Sequence, residues 1–154
     1  MAGNTAAQIR ARYQADVVAL RPDLVVMHCG TNDANRGVAM AEYARDMEEI
    51  VRGIRVAGAR LLLLLPPAMR DSERDARLQA YFPVVKELAA RNNCAVADAH
   101  NAFTTVAAEG VELWGMDGIH HRIDGWRTMA RCVLSALGCE APLVEHTQRE
   151  PGAL

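Results

Sequence analysis

Asp117 and His120, an aspartate and a histidine three residues apart, are the first candidates for chemistry in this sequence. An aspartate at this spacing can hold one ring nitrogen of the imidazole and leave the other free to act as a base. Nucleophilic acyl transfer needs that pairing. His121 follows directly, so the choice between the two histidines stays open at this point. The competing interpretation is a loop carboxylate beside a surface imidazole.

A second candidate segment, Gly30-Thr31-Asn32-Asp33, directly follows a short apolar run that is typical of a buried strand. In open α/β sheets, ligands bind at the carboxyl ends of the strands. The segment therefore lies where a substrate would be expected. The alternative is a turn in which the asparagine and aspartate side chains only cap the connection.

A serine nucleophile is not evident. Ser72 lies in a charged stretch and Ser135 lies inside the last predicted helix, and neither follows a strand in a tight turn. We therefore assign the nucleophile to neither serine, and predict that the chain as given has no serine-esterase activity.

The two motifs, in this order, resemble those of the SGNH hydrolases, also called GDSL-type esterases and lipases. The resemblance extends from Gly3 to about Leu137 and includes the P-D-L-V-V sequence of residues 22–26. It implies a flavodoxin-like α/β fold, a three-layer sandwich with a parallel sheet. It also implies hydrolysis of an ester of a carbohydrate or a lipid, acetyl esters included, without a metal or organic cofactor.

The resemblance also implies roles for individual residues. Asn32 of the G-x-N-D motif would donate its side-chain amide to an oxyanion, and Gly3 would donate its backbone N–H. Asp117 and His120 of the D-x-x-H motif would be the triad partners of the serine. Asp33 and Trp114 are predicted to contact the substrate, although a tryptophan beside a long loop can equally pack that loop onto the core.

The main departure from the family is the missing serine. In SGNH hydrolases it lies in a G-D-S motif after the first strand, before the glycine that corresponds to Gly3. The expectation is therefore a chain that is truncated ahead of Met1 and lacks the first strands. A non-catalytic binding module, an inactive fragment and a misassigned start codon remain as alternatives. The DNA upstream of Met1 would distinguish the misassigned start codon from the other two.

Apolar periodicity predicts alternating helices and strands, which favours an α/β domain with a parallel sheet. Helices are predicted over residues 5–20, 98–108 and 124–137, the last with Trp126 and Met129 facing inward. Two more are predicted between them. One has Met40, Met47 and Ile54 on its buried face, and the other, around Leu78 and Phe82, is kinked by Pro83. Strands are predicted over 24–29, 61–65 and 94–97, and loops over 69–74 and 111–122. His28 is predicted to be a core histidine.

The strand over residues 24–29 becomes a sheet edge if the upstream strands are absent. It is apolar and holds neither lysine nor proline, so it lacks the usual protection against pairing with another chain. We therefore predict a homodimer through this edge, or aggregation.

Composition excludes several function classes. The 154 residues carry 17 basic and 19 acidic side chains, a net charge of −2, which disfavours nucleic-acid binding. The apolar run of residues 61–65 is far shorter than the roughly 20 residues of a membrane span. No signal peptide is evident, and four cysteines without C-x-x-C spacing favour a reducing compartment, hence the cytoplasm. Residues 1–138 are predicted to form one domain and residues 139–154 a poorly ordered tail.

Overall fold

The central feature of residues 3–139, which the computed structural model of this chain describes, is a parallel sheet of three strands. The strands are β1 (Leu24–His28), β2 (Arg60–Leu65) and β3 (Ala95–Asp98), in the order β1-β2-β3. Leu24 lies opposite Arg60, and Leu62 lies opposite Ala95. The predicted α/β fold with a parallel sheet is confirmed. The predicted tail lies outside the described residues, apart from Cys139.

Helices connect the strands and cover both faces of the sheet. Within the described residues they are α1 (Ala6–Arg10), α2 (Tyr13–Asp16), a 3₁₀ helix (Val18–Leu20), α3 (Thr31–Arg36), α4 (Met40–Val56), α5 (Ser72–Gln79), α6 (Phe82–Asn92), α7 (Ala99–Ala108) and α8 (Ile123–Ala136). No helix among them is both long and apolar enough to span a membrane.

Strand β2 is buried on both faces and divides the core in two. Leu61, Leu63 and Leu65 join the core on the side of α4 and α6, whereas Leu62 and Leu64 join the core on the side of α7 and α8. Burying each such side chain contributes about 1.5–3 kcal/mol. This alternation is the physical reason for three layers, because the unbroken leucine run needs apolar cover on both sides.

The predicted helix over residues 5–20 is broken into three short helices. Thr5 caps α1 in a capping box with Gln8, and the helix ends where Arg12 leaves the helical region at φ −133°. The turn that follows brings the ring of Tyr13 against Gly53 of α4. A side chain at position 53 would collide with the Tyr13 hydroxyl, so the glycine permits this close contact.

The stretch between β2 and α6 also differs from the sequence prediction. Helix α5 begins at Ser72, inside the predicted loop, because the Asp71 carboxylate accepts a hydrogen bond from the Arg74 N–H at 2.8 Å and caps it. Pro83 does not kink a helix. It lies in the first turn of α6, where a missing N–H costs nothing.

Helix α3 follows β1 directly, where the sequence predicted a connection without a helix. Gly30 has φ +125°, a conformation that side-chain-bearing residues rarely adopt, and it turns the chain from strand into helix. A Cβ at this position would also approach the Tyr43 hydroxyl to 3.2 Å. The turn places Asn32 and Asp33 in the first turn of α3, at the carboxyl end of β1.

The outer edge of β1 has no strand partner in the described part of the chain. A groove of about 670 Å³, called the β1 groove below, runs along this edge. Its walls include Ile9, Tyr13, Val25, Val26, Met27, His28, Asn32, Ile50, Ile54, His120 and Trp126. His28 is exposed in the groove, so its prediction as a core histidine is wrong. Trp126 is 58% exposed, so its prediction as an inward-facing residue is also wrong.

Candidate active site

The Asp117 and His120 side chains lie on a closed loop between α7 and α8. The Arg122 N–H donates to the Leu113 carbonyl at 2.9 Å, and the Gly115 N–H donates to the His120 carbonyl at 2.7 Å. Trp114 and His121 are paired between these two bonds as an isolated antiparallel bridge. The loop therefore forms a small hairpin, with Asp117 and His120 near its tip.

Asp117 holds His120 through both its backbone and its ring. One carboxylate oxygen accepts from the N–H groups of Ile119 and His120, at 3.0 and 2.9 Å. The other lies 2.5 Å from His120 Nδ1. The side-chain bond to His120 is the main reason that the pKa of the Asp117 carboxyl lies well below its usual range, and the two backbone bonds add to it. Asp117 is therefore ionised at neutral pH.

This pairing fixes the proton arrangement of the imidazole. Because Nδ1 faces a carboxylate it carries the proton, and in the neutral ring Nε2 is then left with a lone pair. The His120 side chain is 87% exposed and lines the β1 groove. Its free nitrogen is thus accessible to a group that binds there, as a general base requires.

His121 has different surroundings. Its ring packs edge-on against Phe103 at 4.9 Å and against Trp126 at 5.4 Å between ring centroids. Burial is the main cause that lowers the pKa of His121, and the neighbouring His120 adds to it. His121 thus packs the hairpin onto α7 and α8, whereas the carboxylate partner belongs to His120. The geometry favours His120 as the base.

Asn32 lies beside the Gly3 segment at the amino-terminal side of α3. Its Nδ2 donates to the Asn4 carbonyl at 3.1 Å, which occupies one of its two amide hydrogens. Gly3 is exposed, with φ +85°, and its carbonyl accepts from Arg36 at 3.0 Å. Gly3, Asn32 and His120 all line the β1 groove. The structure therefore brings the two predicted oxyanion donors and the predicted base to one groove.

Asp33 is fully buried. Its carboxylate accepts from the Ala6 N–H at 3.0 and 3.2 Å and lies 3.6 Å from Cys29 Sγ. Burial is the main cause that raises the pKa of Asp33. The side chain faces the start of α1 and does not line the groove. Its predicted contact with a substrate has no support in this geometry; it anchors α1, and with it the Gly3 segment, to α3.

Trp114 packs on the hairpin. Its Nε1 donates to the Ala68 carbonyl at 2.7 Å, and its ring contacts Phe103 edge-on at 6.0 Å. The Arg70 guanidinium lies over the ring at 5.9 Å. These contacts correspond to the packing alternative stated for Trp114. Its contact with a substrate stays a prediction.

Two groove residues were missed as site candidates. Trp126 and His28 both line the β1 groove beside His120 and His121. Periodicity assigned both to the interior, because a strand and a helix of an α/β fold normally have a neighbour on that side. One signal in the sequence could have identified them, namely the prediction that the strand over residues 24–29 lies at the edge of the sheet. Side chains next to a sheet edge have no neighbouring strand to cover them.

Neither the cysteine next to β1 nor the two serines of the described residues replace the serine nucleophile at this site. Cys29 follows β1 directly, but burial, with the adjacent Asp33 carboxylate, raises the pKa of its thiol far above neutral. A thiol in that state is a poor nucleophile. Ser72 is the first residue of α5 and Ser135 lies in the last turn of α8. Neither lines the β1 groove.

Comparison with known proteins agrees with this geometry. The sequence model of the GDSL-like lipase/acylhydrolase family matches residues 1–125. The chain belongs to this family. By family it is an ester hydrolase of the SGNH type, as the motifs predicted.

Two curated relatives are esterases. The acetylxylan esterase of Geobacillus stearothermophilus is 26% identical over 156 residues, which cover 91% of this chain and 70% of that protein. The esterase TesA of Pseudomonas aeruginosa is 31% identical over 124 residues, which cover 78% of this chain and 58% of that protein. The alignments thus span 70% of the first relative and 58% of the second.

Solved structures give the same result. The crystal structure of the Geobacillus acetylxylan esterase matches with a TM-score of 0.81 and 26% identity, covering 90% of this chain and 69% of that one. An α/β-hydrolase enzyme from the metagenome of Lake Arreo matches with a TM-score of 0.82 and 30% identity, covering 89% and 69%. Catalytic mutants of the acetylxylan esterase replace a serine, an aspartate and a histidine, and that aspartate and histidine are three positions apart.

Proposed function

We propose that this chain supplies the aspartate, the histidine and the oxyanion donors of an esterase site, and that a serine-bearing segment seated in the β1 groove completes it. The observation that carries the proposal is the Asp117–His120 pair, whose free ring nitrogen is exposed at the groove. The catalytic aspartate and histidine of the Geobacillus acetylxylan esterase, at the same spacing as Asp117 and His120, support it.

The reaction follows from the proton arrangement. His120 Nε2 removes the proton of the serine hydroxyl as the serine oxygen bonds to the ester carbonyl carbon. The imidazolium then passes that proton to the leaving alcohol oxygen as the ester C–O bond breaks. Water repeats both steps on the acyl-enzyme and releases the acid. Asp117 stays ionised throughout and stabilises the imidazolium, because its pKa lies below its usual range.

The oxyanion formed at each addition step needs donors that are already in place. Asn32 has a second amide hydrogen besides the one bonded to Asn4, and Gly3 offers its backbone N–H. Removing one such donor costs on the order of 3 kcal/mol of transition-state stabilisation. Asp33 supports the Gly3 donor indirectly, because it holds the segment that carries Gly3.

The substrate class is a small ester of a carbohydrate or a lipid, with acetyl esters first. The relatives named acetylxylan esterase and esterase TesA support this choice. The exposed indole of Trp126 gives the groove an apolar surface on which a sugar ring or an acyl chain could pack.

Reconstitution tests the proposal. The part of the Geobacillus acetylxylan esterase that carries its catalytic serine is fused ahead of Met1, or added as a separate chain, and hydrolysis of p-nitrophenyl acetate and acetylated xylooligosaccharides is followed. We expect turnover that requires the serine, His120 and Asp117, and none from the 154 residues alone. Turnover that His120→Ala and Asn32→Ala leave unchanged would show that the residue assignment is wrong.

We also propose that β1 pairs with a second copy of this chain when no other segment covers it. Val26 is 43% exposed on this edge, and the strand has no charged side chain to repel a partner. Light scattering across a dilution series is expected to show dimers or larger species, and Val26→Lys is expected to reduce them. Monomers at every concentration for both proteins would rule out pairing at this edge.

The cytoplasm is the proposed location. All four cysteines lie in the described part of the chain and are free thiols, as in proteins of reducing compartments. Fractionation of cells that express the full gene is the test, and the appearance of the protein outside the cytoplasm would contradict it.

A further inference from the structure

A second aspartate–histidine pair, Asp75 and His100, lies outside the β1 groove. His100 Nε2 and Asp75 Oδ2 are 2.9 Å apart, and the two side chains are only 15% and 13% exposed. The His100 ring packs edge-on against Phe82 at 5.2 Å. Because its ring is enclosed and lines no part of the groove, His100 has no access to an ester. Any effect of the pair on the active site must therefore be indirect, through the residues to which it is hydrogen-bonded.

The other oxygen of the Asp75 carboxylate holds the loop after β2. Oδ1 accepts the Met69 N–H at 2.8 Å, and Gln79 of the same helix donates to Oδ2 at 2.7 Å. His100 and Gln79 thus fix one carboxylate oxygen from two sides and leave the other aimed at the Met69 amide. Without His100, a nearly buried carboxylate would lose a partner, and it would lower its energy by turning toward water.

The loop after β2 in turn supports the catalytic hairpin. Arg70, the residue after Met69, donates its N–H to the Gly118 carbonyl at 3.0 Å. Gly118 is the neighbour of Asp117, and a Cβ on Gly118 would lie 3.0 Å from Arg70 Cβ, so the two backbones are in close contact. On the other side, the Ala68 carbonyl accepts from Trp114 at 2.7 Å. Three consecutive residues, 68–70, are therefore held by groups on the hairpin or by Asp75.

We propose that Asp75 and His100 are positioning residues for the Asp117–His120 pair, acting through the Met69 and Arg70 amides and the Gly118 carbonyl. The inference rests on the proposed function only for the catalytic roles of Asp117 and His120. The mechanical connection itself is independent of any activity. It assigns a use to a nearly buried aspartate–histidine hydrogen bond that the esterase chemistry does not require.

The test measures the connection in the protein without substrate. In the ¹⁵N-labelled chain, hydrogen exchange is recorded for the Met69 and Arg70 amides, with Leu63 and Leu64 of β2 as the reference for global unfolding. The His120 Nδ1 proton, bonded to Asp117, is followed by its own NMR signal. The variants are His100→Ala and His100→Gln, since the glutamine amide can replace the Nε2 donor.

The matched control is Arg77→Ala, which breaks an exposed ion pair to Glu73 on the same helix as Asp75. We expect His100→Ala to speed exchange at Met69 and Arg70 about tenfold or more, with the β2 amides unchanged. The His120 Nδ1 signal should shift or broaden. His100→Gln should reverse most of both effects, and Arg77→Ala should cause neither.

Three results would overturn the proposal. They are unchanged exchange at Met69 and Arg70, acceleration only in step with Leu63 and Leu64, and acceleration at Met69 with no change in the His120 Nδ1 signal. If His100→Ala fails to fold, Asp75→Asn gives the same comparison, because it keeps an acceptor for Met69 and loses the carboxylate that faces His100.

Kinetics separate this inference from the proposed function. In the reconstituted esterase, His100→Ala should lower kcat about tenfold and leave KM within about twofold, because the base is displaced while the groove is unchanged. An inactive reconstituted protein that still shows the exchange and NMR effects would refute the proposed function and leave the positioning role intact. An active enzyme without the exchange and NMR effects would support the proposed function and refute the positioning role.

Discussion

The molecule holds two aspartate–histidine pairs of the same chemistry in opposite surroundings. Asp117 and His120 belong to one hairpin, three residues apart, with side chains 49% and 87% exposed. Asp75 and His100 come from two helices, 25 residues apart, and are nearly buried. The hydrogen bond between carboxylate and imidazole therefore does not by itself decide the role. Accessibility of the second ring nitrogen decides whether the imidazole can exchange protons with a ligand or only fasten two elements together.

The largest expected effect is on the rate of ester hydrolysis, which should depend far more on the Asp117–His120 pair than on the Asp75–His100 pair. In the reconstituted esterase, His120→Ala should lower kcat/KM by about 10³–10⁴, because the general base is lost. The free energy of unfolding of this variant should fall only slightly, since the His120 side chain is exposed and water screens its bond to Asp117. Steady-state kinetics and urea denaturation measure the two. An equal loss of rate in His100→Ala would erase the distinction between the pairs.

The free energy of unfolding should depend more on the Asp75–His100 pair than on the Asp117–His120 pair. Asp75→Ala leaves the Met69 amide and the His100 ring without their acceptor, and should lower the free energy of unfolding by about 2–3 kcal/mol. Asp117→Ala is the matched control, and should lower the free energy of unfolding by less, because its carboxylate is half exposed to water. Urea denaturation monitored by circular dichroism gives both values. The contrast fails if the two variants lose equal stability.

The carboxyl of Asp117 should titrate unusually low. His120 holds its pKa well below the usual range, so the ionised form stabilises the folded hairpin above the pKa of the unfolded chain. That contribution is lost as the pH falls through the lower, folded-state pKa. The ¹³C shift of the Asp117 carboxyl, followed by NMR from pH 6 downward, measures it. His120→Ala should move the midpoint up toward the ordinary value, and an unmoved midpoint would mean that the ring is not the cause.

The smallest expected effect concerns the neighbouring histidine. His121→Phe keeps an aromatic ring between Phe103 and Trp126, and should change the rate of the reconstituted esterase by no more than about threefold, because His121 lacks the carboxylate partner of a base. Rates measured beside those of His120→Ala test this. A loss as large as that of His120→Ala would transfer the base role to His121.

The sequence was sufficient where the signal was local or strongly periodic. The leucine run of residues 61–65 predicted β2, and the apolar face of residues 40–54 predicted α4, because both patterns are set by burial alone. The D-x-x-H spacing predicted the Asp117–His120 pair because three residues of one turn can bond without help from the rest of the fold. These parts of the fold and site need no tertiary information.

What the sequence did not reveal depends on partners distant along the chain. The Asp75–His100 pair has no motif, since its geometry arises only when the fold brings one side chain of α5 to one side chain of α7. Asp33 was placed at the substrate because its motif suggested it, yet it meets the Ala6 amide, 27 residues away. The break in the first helix likewise reflects Tyr13 reaching α4. His28 and Trp126 were placed inside because sequence periodicity cannot distinguish a central strand from an edge strand.

The close contact between Tyr13 and Gly53 has a consequence for the width of the β1 groove. The tyrosine ring forms part of the groove wall, and it sits this far back only because position 53 carries no side chain. A single methyl group there, on a helix that carries none of the proposed catalytic residues, would displace the ring. The width of a segment that fits into the β1 groove therefore depends on Gly53, a residue of α4 that lies behind the groove wall.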